Sequence, residues 1–157
     1  EKNLNAQAID LKDVKEKFDC ATAIFDVLNY ISKNELKIFL EQTYEILNQN
    51  AYFIFDVNSY FGFDEVAQGT ITIDVEDKFI AIDANFENNK LQTDITLFEK
   101  QENGLFSKEQ DSIIQEYHSK EFLSKILEEI GFKLIEIKEF NLHTDEIADK
   151  LIFICKK

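Results

Sequence analysis

The chain has 157 residues, a formal net charge of −14 and a hydrophobic content of 45%. That length suffices for one ordinary domain with a buried core. All 17 basic residues are Lys, so the chain lacks the Arg side chain that makes paired contacts to phosphates and to guanine edges. Because strong acidity also repels a phosphate backbone, we predict no nucleic-acid partner.

Cysteine use and hydropathy indicate the compartment. Cys20 and Cys155 each lie inside a hydrophobic run, where a free thiol behaves as a small apolar side chain. Two cysteines at this separation do not make the framework of a small secreted protein. The sequence has neither a secretory signal nor an apolar run of about 18 residues. We therefore expect a reduced, cytoplasmic protein with no membrane partner.

Two short hydrophobic runs dominate the first third of the chain. Phe18–Ile24 and Tyr52–Val57 are nearly continuous, which is typical of strands buried on both faces in a parallel sheet. Between them, Glu35–Leu47 carries apolar residues at helical spacing. The order predicts a strand–helix–strand crossover. A weaker apolar run, Ala6–Ile9, predicts another short strand upstream.

Polar side chains follow both predicted strands. Asp26 and Asn29 come after the first, and Asp56, Asn58 and Ser59 close the second. In an open α/β sheet, ligands bind beyond the carboxyl ends of parallel strands. The sequence therefore predicts a site at this edge of the sheet.

The middle of the chain changes to alternating, β-rich patterns separated by turn residues. Asn103-Gly104 is a strong hairpin signal, since both positions tolerate positive φ. We predict an antiparallel meander whose apolar face, exemplified by Ile80 and Ile82, lies on a core. The predicted strands are Thr70–Val75, Phe79–Phe86, Leu91–Glu99 and Leu105–Glu116.

The last third predicts one helix and two strands. Ser119 is the N-cap of a helix that runs to about Ile130, and Gly131 suits the left-handed position after its end. Lys133–Phe140 and Leu151–Cys155 follow as strands, joined by a polar loop.

Four of these segments resemble class I S-adenosylmethionine-dependent methyltransferases of a bacterial small-molecule branch. They are FDCATAIFDVLNYI, NAYFIFDVNS, HSKEFLSKILEEIGFKLIEIKEF and KLIFICKK. The resemblance implies an α/β fold with a partial Rossmann-like sheet, in which residues 69–117 form an antiparallel insertion within a single partial domain. It also implies that Leu151–Cys155 runs antiparallel between the Tyr52–Val57 and Lys133–Phe140 strands.

The same resemblance implies an enzyme that transfers a methyl group from S-adenosyl-L-methionine to a nitrogen or oxygen of a small-molecule substrate. The family's glycine-rich loop and its ribose-binding acidic residue have no counterpart here. The chain therefore resembles the carboxyl-terminal two-thirds of a methyltransferase, and we expect it to be weakly active or inactive alone. The alternative is a binding or assembly module that retains the back half of the fold.

The resemblance implies five cofactor-binding residues. Asp10 follows the predicted upstream strand, where the family places a carboxylate that accepts from the adenine amino group, and Leu11 offers backbone contact to the same ring. Ala23, Ile24 and Phe25 leave the first buried strand beside the cofactor. A turn role for Asp10 and a core role for Ile24 are the alternatives.

On the substrate side, the resemblance implies Asn29, Tyr30, Asn58 and Tyr60. Turn formation by Asn58 and simple packing of the two tyrosines are the alternatives.

Asp26, Asp56 and His118 are the candidates to accept a proton from the acceptor. Helix capping by Asp26 and a structural role for His118 remain open, and the sequence does not rank the three.

The predicted sheet also has an exposed edge. If no strand precedes Phe18–Ile24, its backbone donors and acceptors lie open to another chain. We expect self-association into a homo-oligomer through this edge, or its repair by Ala6–Ile9.

Overall fold

The computed structural model describes residues 9–142 and 147–157. Two four-stranded sheets and two α-helices make up this part of the chain. The helices are α1 (Lys33–Ile46) and α2 (Lys120–Ile130). The strands are β1 (Phe18–Ala23), β2 (Leu47–Asn58), β3 (Gly69–Val75), β4 (Lys78–Glu87), β5 (Lys90–Lys100), β6 (Phe106–Glu116), β7 (Lys133–Phe140) and β8 (Lys150–Lys156).

The first sheet has the strand order β1-β2-β8-β7. β1 and β2 are parallel, as the strand–helix–strand pattern predicts, and β8 runs antiparallel between β2 and β7. Two boundaries differ from the prediction. Ile24 lies beyond the end of β1, and β2 begins at Leu47, directly after α1. The Asn50 backbone has a φ of 70°, which an Asn tolerates, so the chain turns inside the segment that pairs with β1.

Both helices cover one face of the first sheet. The alternating residues Ala51, Phe53, Phe55 and Val57 of β2 are buried against them, as the period of a strand requires. The Phe55 and Phe153 rings stack with their centroids 4.8 Å apart. The buried core consists of Ala23, Leu28, Leu36, Leu40, Leu47, Ala51, Phe53, Phe55, Val57, Leu123, Ile126, Leu127, Phe132, Phe153 and Cys155.

The two helices begin with different caps. The Ser119 hydroxyl accepts from the Phe122 amide at 3.2 Å, and Gly131 ends α2 with a φ of 113°, both as predicted. At the start of α1, the amide of Lys33 instead donates to a carboxylate oxygen of Glu116 at 3.1 Å. A residue at the end of β6 therefore satisfies one of the free amides of α1.

β3 to β6 form the second sheet, an antiparallel meander in chain order, as predicted. Asn88 and Asn89 both have positive φ in the turn between β4 and β5, as a tight hairpin requires. The expected core contact of its apolar face forms at one end only. Leu91 is buried and the Phe86 ring packs on Phe63, whereas Ile80 and Ile82 are only half-buried.

The second sheet attaches to the first at one end. Four aromatic rings form an aromatic cluster at this junction: Tyr60, Phe63, Phe86 and Tyr117. Phe63 is fully buried and stacks on Phe86 of β4 at 5.2 Å. This packing fixes the meander against the segment that follows β2.

β1 lies at an edge of the first sheet. Within residues 9–142 and 147–157, its one paired neighbour is β2. The predicted strand Ala6–Ile9 falls largely outside the described residues, so edge repair and self-association stay predictions. Both cysteines are free: Cys155 is buried as expected, whereas Cys20 is exposed on β1, because that face of the edge strand carries no covering element in the described chain.

Candidate functional site

The carboxyl ends of β1 and β2 bring two predicted catalytic residues together. Asp26 lies in the loop after β1, Asp56 lies near the end of β2, and the ammonium of Lys150 sits between them. Its Nζ is 2.7 Å from Asp26 Oδ1 and 2.9 Å from Asp56 Oδ2. Asp56 points away from the helices, since Phe55 and Val57 beside it face the core.

This ion triad is largely shielded from water. The side chains of Lys150, Asp26 and Asp56 are 14%, 19% and 15% exposed. Burial lowers the pKa of the Lys150 ammonium, but its hydrogen bonds and charge pairing with the two carboxylates outweigh burial and raise that pKa above its ordinary value. One positive and two negative charges leave the triad with a net charge of about −1 at neutral pH. It therefore favours a cation over an anion beside it.

Further hydrogen bonds fix the orientation of Asp26. Its Oδ2 accepts from Gln115 Nε2 at 2.6 Å and from Asn58 Nδ2 at 3.4 Å. Its own amide donates to Asp56 Oδ2 at 3.1 Å. Phe25 and Asp26 have φ angles of 64° and 49°, a left-handed region that a bulky side chain such as Phe rarely adopts. Strain of this kind persists where the surroundings hold the backbone, and it concentrates at functional sites.

Asn29 ties the site to the second sheet. Its side chain is fully buried. Its Nδ2 donates to the Glu116 carbonyl and its Oδ1 accepts from the Asn58 amide, both at 2.9 Å. These bonds use both ends of the amide on backbone groups. The predicted substrate residue thus lies where it positions the loop after β1 rather than on an open surface.

His118 is fully buried beneath the same loop. Its Nε2 lies 3.1 Å from the Leu28 carbonyl and 3.0 Å from the Ile31 carbonyl. Since a carbonyl only accepts, Nε2 carries the proton. Among the described residues, Nδ1 has no hydrogen-bond partner. Burial lowers the pKa of His118 below its ordinary value, although the two carbonyls act in the opposite direction.

We expect His118 to make folding sensitive to mild acid. The unfolded chain binds a proton at His118 near pH 6.5, whereas the folded chain binds it only at lower pH. The unfolded state therefore gains protons first, and the free energy of unfolding falls as the pH drops from about 7 towards 5. Urea titrations at several pH values measure this slope. The variant His118→Gln should have a flatter slope in that window, and an equal slope in both proteins contradicts the assignment.

Three of the five predicted cofactor residues surround one cavity. Leu11, Ala23 and Ile24 line a cavity of about 380 Å³ at the β1 edge. Phe25 is instead 80% exposed and lines a separate cavity of about 350 Å³ together with Asp56 and Lys150. Asp10 is exposed and pairs with Lys12 at 3.0 Å. Ile24 lines both cavities, so Leu11, Ala23 and Ile24 share one cavity, Ile24 and Phe25 share the other, and Asp10 lines neither.

Tyr30 and Tyr60 lie on different surfaces. Tyr30 borders a cavity of about 360 Å³ between the second sheet and residues 66–70, here called the sheet cavity. Gln115 lines the same cavity and contacts Asp26. Tyr60 is half-exposed within the aromatic cluster. Of the predicted substrate residues, Tyr30 therefore borders a cavity next to the ion triad.

Sequence reasoning missed Lys150 and Gln115. Lys150 is the first residue of β8 and Gln115 is the next-to-last residue of β6, and neither belongs to a recognisable motif. The one available signal for Lys150 is that it is a lysine directly before a predicted strand. It becomes informative only once β8 is placed beside β2.

The chain shares its fold with solved S-adenosylmethionine-dependent methyltransferases. One from Clostridium acetobutylicum ATCC 824 matches 96% of this chain with a TM-score of 0.78 and 20% identity, over 63% of its own length. The methyltransferase CcbJ from Streptomyces caelestis matches 93% with a TM-score of 0.68 and 14% identity, over 61% of its length. The sugar N-methyltransferase KedS8 from Streptoalloteichus sp. matches 95% with a TM-score of 0.71 and 11% identity, over 60% of its length.

These likenesses confirm the predicted fold class, a partial Rossmann-like methyltransferase sheet with an antiparallel sheet beside it. The chain spans about 60% of the length of these proteins. By sequence it matches no protein-family model and no curated protein. In the described part of the chain, neither helix is long and apolar enough to cross a membrane.

Proposed function

We propose that this chain is the carboxyl-terminal part of a cytoplasmic methyltransferase that transfers a methyl group from S-adenosyl-L-methionine to a nitrogen or oxygen of a small molecule. The observation that carries the proposal is the ion triad. It stands at the carboxyl edge of two parallel strands, where this fold class binds ligands. Similar folds include proteins described as an amino pentose methyltransferase and a sugar N-methyltransferase.

The residues present fit the cofactor on two grounds. The cavity at the β1 edge is apolar and has Ala23 and Ile24 on its wall. The ion triad lies at the carboxyl ends of β1 and β2, and its formal net charge of −1 suits a sulfonium cation at that edge of the sheet. We propose that Leu11, Ala23 and Ile24 contact the cofactor there, with Asp10 and Phe25 closing on it from the exposed side. S-adenosyl-L-methionine supplies an activated methyl group, so the protein's task is mainly alignment.

Asp26 is the best supported proton acceptor. Its Oδ2 accepts from Gln115, which borders the sheet cavity, whereas Asp56 lines the separate cavity beside Phe25. His118 has its Nε2 proton committed to two carbonyls, which supports a positioning role. Tyr30, Asn58 and Tyr60 remain proposed substrate contacts, with Asn29 holding the loop that carries Tyr30.

Alone, the chain should bind the cofactor weakly. Compared with a longer form that carries a glycine-rich loop and a ribose carboxylate, we expect a Kd at least about 100-fold higher, since several hydrogen bonds are lost and 1.4 kcal/mol is about tenfold. Isothermal titration calorimetry of both forms measures this. Equal Kd values for the two forms contradict the proposal that part of the cofactor site lies in the longer form only.

The rival is a non-catalytic binding or assembly module with the same fold. The triad favours the enzyme, because a partly buried lysine between two carboxylates is costly to maintain without a local use. An Asp26→Asn variant of the longer form tests the distinction. The enzyme predicts a loss of methyl transfer that exceeds the change in cofactor Kd, whereas an assembly module predicts no transfer in either protein.

A further inference from the structure

The sheet cavity has an apolar floor built by cross-strand neighbours. Gly69, Ala84, Thr93 and Ile113 are paired directly across the four strands, so their side chains share one face. All four line the cavity. Because Gly69 and Ala84 are small, the floor is recessed at that row. Its volume of about 360 Å³ lies in the range that holds a small organic molecule.

One lining residue of this cavity contacts the ion triad. Gln115 lines the cavity and donates to Asp26 Oδ2 at 2.6 Å. Asp26 itself is not a lining residue, so Gln115 connects it to the cavity. Tyr30 lines the cavity as well; burial raises the pKa of Tyr30, the charge of Asp26 raises it further, and Lys150 acts in the opposite direction. A molecule seated on the floor would therefore present one end to Gln115, with Asp26 next to it.

The electrostatics of this cavity oppose an anion. None of its described lining residues is charged, and the ion triad that Gln115 contacts has two carboxylates and one cation, with which both carboxylates already pair. The chain as a whole carries a formal charge of −14. A phosphate or diphosphate group needs cationic or clustered amide donors, whereas an ammonium group gains from a negative site.

We propose that the sheet cavity binds a phosphate-free small molecule with an apolar body on the floor around Ile113 and a protonated amine at the Gln115 end, next to Asp26. This inference rests on the proposed function in taking that molecule as the methyl acceptor, whose ammonium would first give a proton to Asp26 so that the nitrogen regains its lone pair. It narrows the acceptor from any nitrogen or oxygen nucleophile to an apolar amine.

Three one-ring probes of similar size and one larger nucleotide test the charge preference on the chain itself. The probes are benzylamine, benzyl alcohol, benzoate and thymidine diphosphate, titrated into ¹⁵N-labelled protein. We expect benzylamine to shift the amides of Ala84, Ile113 and Gln115, with a Kd about tenfold below that of benzyl alcohol. Benzoate and thymidine diphosphate should bind more weakly still. Equal or tighter binding of either anion, or no binding of benzylamine below about 10 mM, overturns the proposal.

Two lysine substitutions on one strand provide a matched pair. Ile113→Lys adds a cation to the cavity floor, whereas Ile114→Lys adds it to the opposite face of β6, where Ile114 is already exposed. We expect Ile113→Lys to raise the benzylamine Kd about tenfold and to improve benzoate binding, while Ile114→Lys changes neither. Equal effects of the two variants contradict the assigned cavity. If Ile113→Lys does not fold, the probe panel on the unmodified chain still decides.

Asp26→Asn separates the amine contact from the apolar contact. This variant should raise the benzylamine Kd about tenfold and leave the benzyl alcohol Kd unchanged. None of these readouts needs methyl transfer. Selective benzylamine binding by this chain, with no S-adenosylmethionine binding by the longer form, would defeat the proposed function and leave the assigned cavity and its charge preference standing. Methyl transfer by a longer form to a phosphorylated acceptor and not to amines would support the proposed function and overturn this inference.

Discussion

Replacing Lys150 with Met is expected to lower the free energy of unfolding by about 3 kcal/mol at pH 7. Lys150 Nζ lies within 2.9 Å of both Asp26 and Asp56, and all three side chains are under a fifth exposed. Without the ammonium, two shielded carboxylates face each other with no counter-charge. Urea denaturation at neutral pH measures the loss.

The pH dependence of that loss identifies its cause. In Lys150→Met, the two carboxylates repel each other while both are ionised, and mild acid removes this repulsion by protonating one of them. The deficit relative to the parent chain should therefore shrink between pH 7 and pH 4. A deficit independent of pH would indicate lost packing instead.

Two further variants serve as controls for this prediction. Lys138→Met removes an exposed lysine of β7 whose Nζ lies 3.7 Å from a carboxylate oxygen of Glu136. We expect its free energy of unfolding to stay within about 0.5 kcal/mol of that of the parent chain. The double variant Lys150→Met with Asp56→Asn removes the repulsion and should recover at least half of the loss. Equal destabilisation by Lys138→Met and Lys150→Met would refute a structural role for the triad.

Gly62→Ala is expected to destabilise the chain by about 3 kcal/mol. A Cβ at Gly62 would lie 2.2 Å from the Asp149 carbonyl oxygen, far inside van der Waals contact. That oxygen cannot move freely, because it accepts from the Ser59 amide at 2.9 Å. Asp149 also directly precedes Lys150, so any relief of the clash displaces the triad. Thermal or urea unfolding measures the stability.

Gly104→Ala is the matched control for this substitution. Gly104 has a φ of 80° and nothing within 4 Å of an added Cβ, so it reports backbone strain without a clash. We expect Gly104→Ala to lower the free energy of unfolding by about 1 kcal/mol. If Gly62→Ala is no worse than Gly104→Ala, the close approach of the two backbones is not structurally required.

Local sequence signals predicted most secondary structure because their physics is local. The Ser119 cap and the Gly131 end of α2 depend on residues within one helical turn. The four strands of the meander follow from alternation and from turn residues that tolerate positive φ, such as Asn88 and Gly104. The short hydrophobic runs of β1 and β2 predicted a parallel pair, and the pairing is observed. The expected burial of β1 on both faces is wrong, because most of this edge strand is exposed.

By itself, the sequence thus determined the order and type of the elements and the edge where Asp26 and Asp56 meet. Only the tertiary structure decided which groups surround those carboxylates. Lys150 contacts Asp26 across 124 residues of chain, and Gln115 does so across 89, so no local pattern marks either. It also decided that His118 is buried and that one face of the meander stays half-open. Burial depends on what packs over a residue, and that is fixed by the arrangement of distant elements rather than by neighbours in sequence.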